Sequence, residues 1–243
     1  MKNLFRADMR RILKSKSLYI CSVISILWII IRLLEEMANQ GENAAAYVSG
    51  VRIAMESGLF ALLTVLPVFF AVFSHELSSK SMQCVLGHGL SRDKLIVTKL
   101  IDAAVLLIGM FLIFTVCVCI FADSSYGISD NQIKQLVIYV WLRGLVFFGY
   151  VTFSAMVMFL ANSVAAGVTT SLVLSFILTV IIALIENFTG VSLKDYTLDG
   201  LVSWAYDAIK AGALPWQLIP AFGYIAASVI VTVIFFRRKE FEF

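Results

Sequence analysis

No charged side chain occurs in the 42 residues between Arg143 and Glu186. A membrane-spanning helix needs about 20 mainly apolar residues, so this run is too long for one span and long enough for two. The run does not alternate between apolar and polar residues, as the strands of a transmembrane barrel do. Only 14% of the whole chain is charged, whereas soluble domains average about 25%. These features predict an all-α, multi-pass membrane protein.

Charge-poor runs divide the chain into six predicted spans, and a short turn at Asn162 separates the fourth from the fifth. The spans are expected at about residues 17–34, 57–74, 100–122, 140–161, 164–185 and 213–236. Together they form a transmembrane domain over residues 18–236, with an outer segment at 186–212. A basic tail, residues 237–243, follows the last span.

The distribution of lysine and arginine predicts the orientation. Thirteen of the 19 basic residues fall in segments on the same side as the N-terminus, and cytoplasmic loops collect such residues. Both termini are therefore expected in the cytoplasm, and we expect the protein in a cell membrane, the bacterial cytoplasmic membrane. The net charge of +3 then reflects membrane topology and gives no reason to expect nucleic acid as a partner.

Residues 1–17 mix apolar side chains with six basic ones before the first span. Helical spacing places the apolar residues broadly on one side, as in a helix that lies in the membrane interface. We predict such an amphipathic helix. The alternative is a plain basic flank that only orients the first span.

The segment at residues 75–99 is the longest polar stretch on the predicted cytoplasmic side. It leaves the membrane at Glu76, allows a short helix to Leu86, and is broken by Gly87-His88-Gly89 before Ser91 can cap a new helix. The short helix is amphipathic, which suits docking against a soluble partner. A solvated connector explains the same composition equally well.

The fifth span repeats a small residue every four positions. Small residues allow helices to approach closely, and hydroxyls can bridge helices or face water. Helix packing is the default explanation, while a dimer interface and a substrate path are alternatives. The residues of this repeat are Ser163, Gly167, Ser171, Ser175, Thr179 and Ala183.

One basic residue, Arg143, falls near the outer end of the fourth span. It can snorkel to the interface, or it can form an ion pair with Asp123 or Asp130.

The sequence offers no catalytic or cofactor-binding pattern. It has no G-x-x-x-x-G-K-[ST] phosphate loop, so any ATP must be bound by another chain. His75, Cys84 and His88 match no common zinc spacing. We therefore predict a non-enzymatic chain without a metal site or a bound cofactor.

The overall layout resembles the permease subunits of type 2 ABC exporters. The resemblance rests on the basic N-terminal helix, the six spans, Glu76 at the end of the second span, the Ser91-Arg92 pair and Lys99. It covers essentially the whole chain in layout. Leu90 departs from the family, which often has proline or glycine there.

This resemblance implies roles for the segments described above. Residues 75–99 would be the coupling loop that contacts a separate ATPase subunit, which binds ATP and Mg. The contacting residues would be Glu76, Ser79, Lys80, Gln83, Leu86, Ser91 and Arg92. The second and fifth spans would form a substrate path or a dimer interface through Thr64, Ser171, Ser175 and Thr179.

The resemblance also implies an assembly of two permease chains, identical or different, with two ATPases. The cargo would be hydrophobic or amphipathic, such as an antimicrobial peptide or a drug, because no cluster of intramembrane charges indicates an ion route. The alternative is a channel or membrane sensor that works without an ATPase.

Overall fold

The computed structural model describes residues 2–41, 43–74, 92–123, 128–190 and 192–238, which are almost entirely helical and contain no strand. The fold class predicted from the sequence, an all-α membrane protein, is confirmed. The helices are α1 (Lys2–Ile12), α2 (Lys16–Gln40), α3 (Ala44–Glu56), α4 (Gly58–Phe69), α5 (Arg92–Asp123), α6 (Asp130–Ala161), α7 (Val164–Leu172), α8 (Leu178–Thr189), α9 (Leu198–Lys210) and α10 (Leu218–Arg238).

Five helical stretches in the described part of the chain are long and apolar enough to cross a membrane. A sixth is obtained when α3 and α4 are counted as one broken span, because they meet at a bend of 52°. The five are Lys16–Gln40, Asp93–Ala122, Asp130–Ala161, Val164–Thr189 and Leu218–Phe236.

Two π-helical turns interrupt the second and fifth spans. Phe70–Ser74 continues α4, and Val173–Ile177 joins α7 to α8. Pro67 lies inside α4 just before the first turn, and a proline removes one backbone donor from the helical ladder. Turns of this kind often occur at functional positions.

The outer connection between the first two spans is itself helical. α2 extends to Gln40, and α3 folds back along it; a Cβ on Gly50 would lie only 3.0 Å from Cα of Leu33. Ser57 forms the bend between α3 and α4. Its hydroxyl accepts the backbone N–H of Phe60 at 3.3 Å and the indole N–H of Trp28 at 2.8 Å, so the bend is fixed from two sides.

Helix α6 is the centre of the bundle and contacts α4, α5, α7, α9 and α10. Next to it lies a group of four buried rings, Phe60, Phe111, Phe114 and Phe147, with neighbouring centroids 5.3–5.7 Å apart. Such tilted and edge-on pairs add to the stabilisation from burial alone.

The bundle has two ends, to which we give fixed names. The inner end holds α1, the Phe70–Ser74 turn and the start of α5. The outer end holds α3, α9 and the first half of α6. The excess of basic residues near the inner end predicts that this end faces the cytoplasm.

Candidate functional site

The predicted ATPase-contacting residues fall almost entirely outside the described part of the chain. Arg92 is the first residue of α5, and its side chain is also outside the described set. The others, which all lie outside the described residues, are Glu76, Ser79, Lys80, Gln83, Leu86 and Ser91.

A buried ion pair joins α1 to the base of α5, immediately after this segment. Nζ of Lys99 donates to Oδ2 of Asp8 at 2.6 Å, and the two side chains are 1% and 8% exposed. Arg11 lies 3.8 Å from the second carboxylate oxygen of Asp8. Since α1 precedes the first span and α5 begins the third, the pair ties two otherwise separate elements together.

Asp8 is a functional candidate that the sequence reasoning missed. It is the only acidic residue before Glu35. A single carboxylate among six basic side chains is the sequence feature that could have indicated an ion pair here. Asp102, one turn beyond Lys99, was also missed and is fully buried. An acidic residue inside an apolar span is rare unless it has a function or a partner.

The second and fifth spans approach closely at two points, one against backbone and one against a side chain. A Cβ on Gly58 would lie 2.6 Å from the carbonyl oxygen of Ser175, and a Cβ on Gly167 would lie closer still to Cζ of Phe69. Both separations are shorter than any real contact; at Gly58 the facing atom is backbone, so this glycine is required for the observed approach, whereas at Gly167 the Phe69 ring would have to move. The contact runs from the outer end of α4 to its inner end.

The four residues predicted for a path or an interface occupy different environments. Thr64 is buried and donates to the carbonyl of Phe60 at 2.7 Å, while Ser171 is buried and hydrogen-bonded to Ser154 at 2.9 Å. The hydroxyl of Ser175 is buried without a hydrogen-bond partner among the described residues. Thr179 is exposed on α8. One surface therefore does not contain all four.

Arg143 is the centre of a second polar group, at the outer end. It is 2% exposed, and its guanidinium donates to the carboxylate of Asp199 on α9 and, at 3.0 Å, to the carbonyl of Met55 on α3. The structure pairs Arg143 with Asp199, which is 56 residues away, and not with Asp130; the side chain of Asp123, the other partner considered from the sequence, lies outside the described residues. Snorkelling is also ruled out, because the side chain is buried.

An aromatic layer extends this group. The hydroxyl of Tyr139 donates to Glu56 at 2.7 Å, and the rings of Tyr139 and Tyr206 meet edge-on at 5.0 Å. The guanidinium of Arg52 lies 5.4 and 5.3 Å from these two rings, within the range of cation–π attraction. We call Arg52, Met55, Glu56, Tyr139, Arg143, Asp199 and Tyr206 the outer cluster.

Tyr206 remains neutral at physiological pH. Burial raises the pKa of its phenol above the ordinary value, and Asp207 acts in the same direction, whereas the Arg52 cation opposes the rise. The charges that face one another in the outer cluster are thus two cations and two anions, which balance.

A cleft of about 210 Å³ lies between α6, α10 and the fifth span. It is lined mainly by apolar groups, with the hydroxyls of Tyr150, Tyr224 and Ser228 among them. Within the described residues, no group of three or more His, Cys, Asp or Glu side chains could hold a metal ion. The cleft therefore suits an apolar or amphipathic guest better than an ion.

Comparison with known protein families gives one match. Residues 2–237 match the family model described as "ABC-2 family transporter protein". No curated individual protein matches the chain significantly. Because the family model covers nearly the whole chain, and because the described chain is a bundle of membrane-length helices, this protein belongs to the ABC-2 transporter family, as a non-catalytic, multi-pass permease subunit of an ABC transporter.

Proposed function

We propose that this permease works in an exporter, where a separate ABC ATPase drives the outward movement of a hydrophobic or amphipathic molecule. The ATPase binds ATP and Mg, and the permease converts ATPase closure into alternating access. The part of the coupling loop (residues 75–99) between Glu76 and Arg92 receives the ATPase.

The observation that carries this proposal is the Asp8–Lys99 ion pair. Lys99 lies eight residues after Ser91, on the helix that continues from the coupling segment. When the ATPase displaces this segment, the base of α5 moves as well, and the buried ion pair moves α1 together with α5. Since α1 also contacts the Phe70–Ser74 turn, the same displacement reaches the end of the second span.

The second and fifth spans supply the path in this scheme. They touch where Gly58 lies against the carbonyl of Ser175 and where Gly167 lies against the ring of Phe69, so a small relative displacement of the two helices is enough to separate them. Separation would uncover the hydroxyl of Ser175, which has no hydrogen-bond partner within the described part of the chain, and, beside it, apolar surface. That combination suits an amphipathic cargo such as a peptide or a drug.

A second permease chain completes the assembly. Thr179 is exposed on α8, and no residue of α8 is buried within the chain. We place the contact with the second chain, identical or different, along this helix.

The experiment co-expresses the chain with the ABC ATPase encoded nearest to it, followed by co-purification and ATP hydrolysis in lipid vesicles. Glu76→Ala and Asp8→Asn should each reduce the cargo-stimulated hydrolysis at least severalfold while the complex still forms. Lys134→Ala is the matched control, because Lys134 is exposed near the start of α6 at the outer end, away from the coupling loop. A chain that captures no ATPase, or variants that hydrolyse ATP like the wild type, would overturn the proposal.

A further inference from the structure

We infer that the outer cluster is the latch of an outer gate, and that opening outward breaks the ion pair between Arg143 and Asp199. The inference rests on the proposed function, because only an alternating-access permease needs an outer end that opens and closes.

The Arg143 charge does not take the usual position of a basic residue near the end of a span, which extends towards the lipid headgroups and water. Its guanidinium is directed instead to Asp199 on α9 and to the carbonyl of Met55 on α3. Neither α3 nor α9 alone is long enough to span the membrane. The charge thus holds two outer elements against the fourth span.

Those two elements control the outer ends of three spans. Met55 is two residues before Ser57, where the chain bends by 52° into the second span. Helix α9 leads, after a short connection, into the sixth span. Tyr139, on the same face of α6 one turn before Arg143, is bonded to Glu56 at the end of α3. The outer ends of the second, fourth and sixth spans are therefore held together at this cluster.

The exposure of the ion pair favours two discrete states of the outer end, closed and open, over a continuous range of partly open states. The Arg143 side chain is 3% exposed, whereas that of Asp199 is 24% exposed, so the pair lies at the boundary between the apolar bundle and water. A buried guanidinium that loses its carboxylate is very unfavourable unless water replaces it. Separation of α9 from α6 and entry of water must then occur together, which makes partial opening unfavourable.

A latch, which breaks when the outer end opens, and a static staple, meaning an ion pair that stays formed in every state, differ in their effect on access to the outer end. A static staple would make the outer end rigid in every state, so weakening it would lower stability without changing access. A latch would shift the population of open molecules when one charge is removed, even in the absence of ATPase and cargo.

The experiment measures access to a buried position with a thiol reporter. The four cysteines of the sequence, Cys21, Cys84, Cys117 and Cys119, are replaced by alanine, and Ala205→Cys is introduced on α9. Ala205 is fully buried. An impermeant maleimide is added to intact cells that produce the full chain alone. Ala213→Cys, at an exposed position after α9, shows that the reagent reaches this side.

Asp199→Asn should raise the labelling rate of the Ala205→Cys reporter about tenfold, as expected for loss of one charge-assisted hydrogen bond from the closed state. Asp207→Asn is the matched control, since Asp207 is an exposed carboxylate on the same helix, and it should leave the rate unchanged. If Asp199→Asn does not fold, Arg143→Lys tests the same pair, because lysine keeps the charge and loses the forked donor geometry.

If Asp199→Asn is labelled at a rate within twofold of the parent and its thermal midpoint is lower, the ion pair is only a structural contact. This outcome would overturn the latch. Because this assay contains no ATPase and no cargo, it can fail while the ATPase co-purification succeeds, and the reverse also holds. The failure of the latch and the failure of the exporter proposal are therefore distinguishable.

Discussion

Nζ of Lys99 lies 2.6 Å from Oδ2 of Asp8, although 91 residues separate the two in the chain. Both side chains are buried, one at the base of α5 and the other on α1. In a buried pair, the mutual attraction offsets the cost of removing two charges from water, and the loss of either partner weakens that compensation.

The first prediction tests this pair. Lys99→Met should lower the free energy of unfolding, by less than the about 3–5 kcal/mol that a wholly unpaired buried charge costs, because Arg11 remains 3.8 Å from Asp8. Asp8→Leu alone should act in the same direction. The double variant Asp8→Leu/Lys99→Met should recover most of the loss, because replacing both charges with apolar side chains is often close to neutral.

Thermal unfolding of the detergent-solubilised chain measures this series, with Lys94→Ala as the exposed control. A double variant that is as unstable as the sum of the two single variants would show that the residues act independently.

The second prediction concerns the glycine at the start of the second span. Gly58→Ala should separate α4 from the fifth span, because the new Cβ would lie 2.6 Å from a backbone oxygen of Ser175, which no rotamer change can move. Gly109→Ala is the control, since no atom of the described residues outside its own helical backbone lies within 4 Å of its Cβ position, and helix propensity alone favours alanine there.

We expect the thermal midpoint to fall for Gly58→Ala and to stay constant or rise slightly for Gly109→Ala. Equal midpoints for the two variants would contradict the close approach of the second and fifth spans.

The sequence was sufficient for the class of fold and for the family resemblance, because both depend on properties that are local along the chain. The charge-free run before Glu186 specifies membrane helices whatever their packing, and the confirmed family membership rests on the same layout. The basic N-terminal segment likewise carries its amphipathic pattern within a few turns.

The sequence was insufficient for the polar contacts, because these join residues that are distant in the chain. Hydropathy alone cannot choose among acidic partners for Arg143, and nearness in sequence favoured Asp123 and Asp130 over Asp199. The helical state of α3 was missed for another reason. This helix is short and carries charged residues, and its packing along α2, with Gly50 at the contact, is visible only in the folded chain.

The third prediction concerns the bend at Ser57. Ser57→Ala removes the cap of α4, which costs about 1 kcal/mol, and it leaves the indole N–H of Trp28 without its present acceptor. Ser57→Thr keeps an acceptor at the same place and should lose much less. Ser22→Ala is the control, because its hydroxyl donates to the carbonyl of Leu18 in its own helix and to no other group of the described residues.

Chemical unfolding in mixed micelles, followed by helix content, ranks these three variants. The interpretation of Ser57 as the fixed point of the bend fails if Ser57→Ala and Ser22→Ala have the same effect.

The fourth prediction distinguishes a structural role from a role in transport for two serines, Ser171 and Ser175, that lie one turn apart. The hydroxyl of Ser171 bonds to Ser154, and such bonds between membrane helices contribute on average about 0.6 kcal/mol. Ser171→Ala should therefore lower stability by roughly this amount. Ser175→Ala removes a buried hydroxyl that has no partner among the described residues, so it should leave stability unchanged or slightly higher.

If Ser175 contacts the cargo, the two variants should rank in the opposite order for export than for stability. Export of a fluorescent amphipathic probe from vesicles containing the permease and its ATPase should fall more for Ser175→Ala than for Ser171→Ala, even though Ser175→Ala is the more stable protein. A stability change would alter both measurements together, so opposite signs isolate a role in the path. If export follows stability in both variants, Ser175 is a packing residue in the π-helical turn, and the path lies elsewhere.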